Sequence, residues 1–269
     1  MNVNAMEKDV KILLIPDVHA RDFWREPVKE MLAEKKEGTR IIFMGDYCDP
    51  YQDDFPTNFD YNAKAIDTFR EIIALKKEHP EYITLLIGNH DCGYMFDLRI
   101  CDCRTDYRRY DDIRKTFNDN KELFQLADQE TINGKHFIIS HAGIPKGYAE
   151  HCFEDVDENN VVSIFNNAYK ENNQEIIRSL GIYDSYRGSF GGYFGSLVWS
   201  DVRSWMDNDK DGSYGYGYNV FAHSQLIKEC GGIITDYWAD LDCQEAFYIN
   251  DLGEIKRFFE KKEEKNLEN

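Results

Sequence analysis

Five short apolar runs in this chain each lead into an Asp, Asn or His, and that recurrence limits the fold more than any other feature. Residues 10–15 (VKILLI) precede Asp17-Val18-His19, and residues 39–44 (TRIIFM) precede Gly45-Asp46-Tyr47-Cys48-Asp49. Residues 82–87 (YITLLI) run into Gly88-Asn89-His90-Asp91, residues 136–139 (HFII) into Ser140-His141-Ala142-Gly143, and residues 219–222 into His223. The runs are short and apolar on successive positions, as in strands buried on both faces. Longer helical stretches separate them, so the pattern is α/β, and polar groups at strand ends gather on one rim of such a sheet.

The rest of the chain fits around those strands. Residues 26–37 read as a helix stopped by Gly38, and residues 58–78 as a long helix ending before His79-Pro80. Residues 105–128 read as helical, with Phe117, Leu123, Phe124 and Leu126 as the apolar face. Further short strands are expected at 219–222, 232–235 and 246–249, in the commoner antiparallel layout. No repeat or Pro/Ser-rich linker divides the chain, so residues 1–269 are read as one domain. Residues 150–217, polar and helical at first and then rich in Gly and Tyr, are expected to form an insertion or lid over the core. The tail from 257 reads as a solvated helix end or frayed terminus.

Charge narrows the partners. The 269 residues carry 32 Lys+Arg and 50 Asp+Glu, a net charge of −18. Such a surface repels phosphate backbones and anionic lipid, which argues against a general nucleic-acid or membrane binder. No apolar run approaches the ~20 residues of a membrane span, and the N-terminus lacks a signal-peptide pattern. Seven scattered cysteines read as reduced thiols, and a cytoplasmic location is the expectation.

An isolated Asp after a strand usually caps a turn, and an isolated His usually fills an ordinary structural place. Neither explains their recurrence at equivalent positions. Four histidines, three aspartates and an asparagine on one rim would bury repelling carboxylates unless a cation neutralised them. A pair of divalent ions does so, and oxygen and nitrogen donors without thiolate suit Mn, Fe or Zn, with Mg as a further candidate.

The series DVH, GDYCD, GNHD, SHAG and AH resembles the motifs of the calcineurin-like metallophosphoesterases, in the same order and each after a strand. LVWSD at 197–201, the Gly/Tyr-rich loop and VFAH resemble the protein Ser/Thr phosphatase branch in particular. NKELFQLA and NGKHFIISHAGI resemble both that branch and relatives that cleave dinucleoside polyphosphates. The resemblance implies a four-layer α/β/β/α sandwich of two mixed sheets with a dimetal site on the rim between them. It implies Asp17 and His19 as ligands of one metal and Asp46 as the bridge. Asn89, His141 and His223 would complete the second. It implies attack on phosphorus by a hydroxide bridging the metals, with His90 as general acid oriented by Asp49. The implied activity is hydrolysis of a phosphate monoester on a phosphorylated protein or small molecule. The alternatives are a dinucleoside polyphosphate hydrolase or phosphodiesterase, and, outside enzymes, a catalytically silent binding domain.

The sequence departs from that branch where phosphate-clamping arginines are expected, with Pro50 after the second Asp and Gly93-Tyr94 after GNH. Arg21, Arg187 and Arg203 are the replacement candidates. Residues 207–212 (DNDKDG) match the first half of a calcium loop, but position twelve would be Tyr218, so an acidic turn is expected. Cys101 and Cys103 lack the spacing of a zinc pair. Tyr183, Tyr186, Phe190, Tyr193, Phe194, Tyr214, Tyr216 and Tyr218 flank WSD, where they would pack the lid or line a cleft for an aromatic leaving group.

Overall fold

The computed structural model describes residues 9–54, 56, 60–98, 104–187, 194–208, 215–224 and 232–259. Two mixed sheets form its centre. The first has the order β11-β10-β1-β2-β3-β4, built from Ile255–Arg257, Phe247–Asn250, Val10–Ile15, Arg40–Phe43, Ile83–Leu86 and Phe124–Gln125. The second has the order β5-β6-β7-β9-β8, built from Ala127–Ile132, Lys135–Ser140, Tyr218–Phe221, Trp238–Asp240 and Ile233–Ile234.

Strand periodicity sorts the core into layers. In β1, Ile12 and Leu14 join Ile42, Met44, Leu86, Phe137, Ile139, Val220 and Ile249 in the apolar layer between the sheets. Leu13 and Ile15 point the other way, into a cluster with Val28 and Met31 of α1 (Arg25–Glu34) and Ile66, Phe69 and Ile72 of α2 (Tyr61–Glu78). That cluster also takes in Ile113 and Phe117 of α4 (Tyr110–Asn118). The second sheet is covered in turn. Phe221 and Trp238 pack with Val202 of α8 (Val202–Asn208), and Ile138 shares a cluster with Val161 and Phe165 of α6 (Val161–Lys170). The expected four-layer sandwich is therefore present, with the central strands β1, β2, β6 and β7 buried on both faces over most of their length and the edge strands β5, β8 and β11 partly exposed.

Several expectations need correction. Residues 105–128 are not one helix: α4 stops at Asn118, a short 3₁₀ turn spans Lys121–Leu123, and Phe124 pairs with Leu85 in a parallel strand. The spacing of Leu123, Phe124 and Leu126 fits a helix face, and burial in a sheet edge overrode it. The late strands are not uniformly antiparallel, because β7 runs parallel to both β6 and β9. The expected strand at 232–235 shrinks to Ile233–Ile234, and β5, β9 and β11 went unanticipated. Helix α1 also ends early, at Lys35 in the left-handed conformation with φ 37°. The calcium-like stretch beyond 208, Cys101 to Cys103, Phe190, Tyr193, Tyr214 and the tail beyond 259 lie outside the described residues. Of the aromatics within them, Tyr183 packs on Trp199 and Tyr218 on Phe137, while Tyr186 is exposed.

Candidate active site

The site forms where β1, β2, β3, β6 and β7 end. Asp17, His19, Asp46, Asp49, Asn89, His90, His141 and His223 are all buried there. Two glycines set the spacing between the loops after β2 and β3. A Cβ on Gly45, at φ +102°, would come within 2.5 Å of Gly88 N, and one on Gly88 within 2.1 Å of Asp46 Oδ1. Only glycine lets these backbones touch. His19, Asp46 and Asp49 themselves hold positive φ angles of 42°, 53° and 57°. Strain of about 1–3 kcal/mol per residue is typical of sites where the surroundings over-determine the backbone.

The buried carboxylate that holds this turn is Asp91, last residue of GNHD, to which the sequence assigned no role. Its oxygens accept from Gly88 N and Asp46 N at 2.8 Å each and from Tyr47 N at 3.2 Å. Burial and the nearby Asp46 push its carboxyl up to about 8 against those hydrogen bonds. Asp91 opens α3 (Asn89–Phe96) from within its first turn, which fixes Asn89 and His90 relative to Asp46.

The histidines divide by their partners. His19 Nδ1–H donates to Cys48 O at 2.9 Å, and His141 Nδ1–H donates to Met44 O at 2.9 Å. Each bond fixes the tautomer and leaves Nε2 with its lone pair turned inward. His19 Nε2 lies 3.4 Å from Asp46 Oδ2 and 3.8 Å from Asp17 Oδ2. His141 Nε2 lies 2.8 Å from Asn89 Oδ1, 3.1 Å from His223 Nδ1 and 3.7 Å from Asp46 Oδ2. Burial drives all three rings toward the neutral form, His19 and His223 strongly so.

His90 is held differently. Its backbone N–H donates to Asp46 Oδ1 at 3.0 Å, and its Nδ1–H is 2.8 Å from Asp49 Oδ2 and 3.1 Å from Arg104 O. Burial works against the charged ring, but Asp46 and Asp49 outweigh it and raise the His90 pKa above its ordinary value. The second Asp49 oxygen accepts from the Tyr94 hydroxyl and, at 3.1 Å, from Asp106 N. Tyr94 thus stands where a phosphate-clamping arginine was expected and braces the aspartate instead.

The donor set fits a pair of divalent ions. Ligand atoms of Asp17, Asp46 and His141, and separately of His19, Asp46 and His90, lie within 4.8 Å of one another, so Asp46 is common to both groups. Asp17 Oδ1 and His223 Nε2 are buried with no hydrogen-bond partner. His141 Nε2 faces the Asn89 oxygen with no proton of its own, an arrangement that a cation between them relieves. Burial, then Asp242 and Asp46, raise the Asp17 pKa well above the carboxylate range, which expresses the same unmet demand for positive charge. Asp242 sits just past β9 and is buried near enough to Asp17 and Asp46 for their charges to act on one another. It was not anticipated from the sequence.

The three candidate arginines are already engaged. Arg21 pairs with Asp54 at 2.8 Å and reaches Asp17 O at 3.4 Å. Arg203 grips both oxygens of buried Asp201, at 2.8 and 2.7 Å. Arg187 lies 2.7 Å from Asp201 Oδ2 and donates to His223 O at 3.0 Å, which ties the WSD segment to the rim. Arg104, absent from the expectations, has its guanidinium 3.4 Å from the centre of the Tyr51 ring and donates to Asp49 O at 3.3 Å.

Known proteins have a similar fold. Among solved structures, the chain is similar to a cold-active protein-tyrosine phosphatase of the psychrophile Shewanella sp., at 12% identity and TM-score 0.50, over 93% of this chain and 80% of that one. It is also similar to a protein serine/threonine phosphatase from Saccharomyces cerevisiae, at 15% identity and TM-score 0.49, over 96% of this chain and 82% of that one. The family model for calcineurin-like phosphoesterases matches residues 10–226, which include the ends of β1, β2, β3, β6 and β7. The chain therefore belongs to the calcineurin-like phosphoesterase family and is a metal-binding hydrolase of phosphoesters.

Proposed function

We propose that the chain hydrolyses phosphate monoesters in the manner of a protein Ser/Thr phosphatase, with two ions of Mn, Fe or Zn held by Asp17, His19, Asp46, Asn89, His141 and His223. The supporting observation is the pairing of two differently prepared groups on one rim. Imidazoles driven toward the neutral form converge with unpartnered donors, and beside them the charged form of His90 is favoured by Asp46 and by Asp49 at 2.8 Å. The ions would supply Lewis acidity at phosphorus and an activated water. The chain's own residues do the rest. Asp46 spans both donor groups through its carboxylate while its Oδ1 anchors the His90 backbone. His90 delivers a proton to the departing alkoxide, and Asp49, braced by Tyr94 and Asp106 N, keeps that imidazolium aimed and charged. Residues 150–217 are proposed as an insertion or lid within a single domain, and the location as cytoplasmic.

A metal-by-substrate comparison on chelator-stripped protein tests this reading. Hydrolysis of p-nitrophenyl phosphate and a phosphoserine peptide, restored by Mn²⁺, is the expected result. Preference for bis-p-nitrophenyl phosphate or diadenosine tetraphosphate would move the chain to diester or polyphosphate cleavage. Metal binding without turnover of any of them would leave a binding domain.

A further inference from the structure

We infer that Arg104 is the substrate-phosphate anchor of this site and that it selects phosphate monoesters. The inference rests on the metal-dependent phosphoesterase reading above. Three observations place Arg104 at the rim. Its carbonyl lies 3.1 Å from His90 Nδ1, its Nη2 donates to Asp49 O at 3.3 Å, and its guanidinium stacks on Tyr51 at 3.4 Å. Tyr51 in turn packs edge-on against the His19 ring at 5.1 Å, and His19 against His90 at the same distance. The charge is also felt at both rings, since Arg104 acts against protonation of His19 and of His90.

What separates Arg104 from the other candidates is its charge balance. Arg21, Arg187 and Arg203 each lie against a carboxylate, Asp54 or Asp201. Arg104 is exposed, and the partners of its guanidinium are the Tyr51 side chain, by ring face and hydrogen bond, and the Asp49 carbonyl oxygen, none of them a carboxylate. Stacking on Tyr51 orients the planar fork without consuming its charge, which is how a guanidinium is prepared for an oxyanion. A monoester offers three non-bridging oxygens and carries two negative charges near neutral pH. A diester offers two such oxygens and one charge. A cation that takes an oxygen left over by the metals has a partner only in the monoester.

The test uses the full metal-loaded chain with Arg104→Met and Arg104→Lys. Isothermal titration with inorganic phosphate reads anchoring without turnover, and kcat/KM is compared for p-nitrophenyl phosphate and its bis-ester. Arg104→Met should weaken phosphate binding and monoester kcat/KM by roughly 10- to 100-fold, the scale of a lost charge-assisted hydrogen bond. The bis-ester should change less than about 3-fold, and Arg104→Lys should recover part of the loss by restoring charge without the fork. Unchanged phosphate binding, or equal loss on both esters, would overturn the assignment. Turnover of neither ester by the wild type would defeat the catalytic reading alone, and the phosphate titration would still decide the anchor.

Discussion

His141 and His90 sit on the same rim, both buried, yet they are prepared for opposite tasks. His141 spends its Nδ1 proton on a neutral carbonyl, Met44 O, and burial leaves the ring uncharged with an inward lone pair. His90 spends its Nδ1 proton on a carboxylate, Asp49, and its pKa rises. The residue type is constant, and on the proposed reading the partner of the outer nitrogen decides between a metal ligand and a proton donor. The same contrast runs through the arginines, where a carboxylate partner makes Arg203 structural and an aromatic partner leaves the charge of Arg104 available.

The contrast predicts a ranked set of outcomes. Asp46→Asn weakens the shared ligand of both groups, so it should lose metal and cost more than about 10³-fold in kcat/KM, on the scale of removing a central stabilising group. Metal analysis checks it, and full metal content in that variant would remove Asp46 as the bridge. His90→Asn should leave metal content intact and slow alkyl phosphates by about 10²–10⁴-fold, the usual contribution of a general acid. Loss on p-nitrophenyl phosphate should be much smaller, because that leaving group hardly needs a proton. Equal losses would mean that His90 acts on the metals instead.

The pH profile follows with its sign. A raised His90 pKa extends the acid form to higher pH than an ordinary histidine, so alkyl phosphate hydrolysis should fall as pH rises through that raised value. In His90→Asn this basic limb should vanish, and a limb that persists there belongs to another group. The smallest effect is expected for Tyr94→Phe, which leaves the Asp49–His90 contact in place and removes one brace. A loss of about 3- to 10-fold is expected on alkyl phosphates, in keeping with about 1 kcal/mol for a hydrogen bond. An effect of the same size on aryl phosphates would mark Tyr94 as a general scaffold residue.

Much of this site was legible because its chemistry is carried by short segments at strand ends. Each of Asp17, His19, Asp46, Asn89, His90, His141 and His223 stands one to four residues beyond a described strand, where apolar runs make the strands visible. What escaped notice acts across the chain. Asp91 was read with its motif, but its task of holding the backbone of Gly88, Asp46 and Tyr47 depends on β2 and β3 lying side by side. Tyr94 meets Asp49 from within α3, and Asp106 and Arg104 meet it only because the chain after α3 returns to it. The fold behaved likewise. β1, β2 and β3 announced themselves as continuous apolar runs, whereas β4 is a two-residue strand whose pairing with Leu85 no local pattern encodes.

The most direct test of the account is Mn²⁺ titration of chelator-stripped protein, with bound metal counted as p-nitrophenyl phosphate hydrolysis is followed. A pair of ions bridged by Asp46 predicts two bound Mn²⁺ per chain, with activity appearing as the second site fills. A single bound ion that gives full activity, or two bound ions with no hydrolysis, would contradict it.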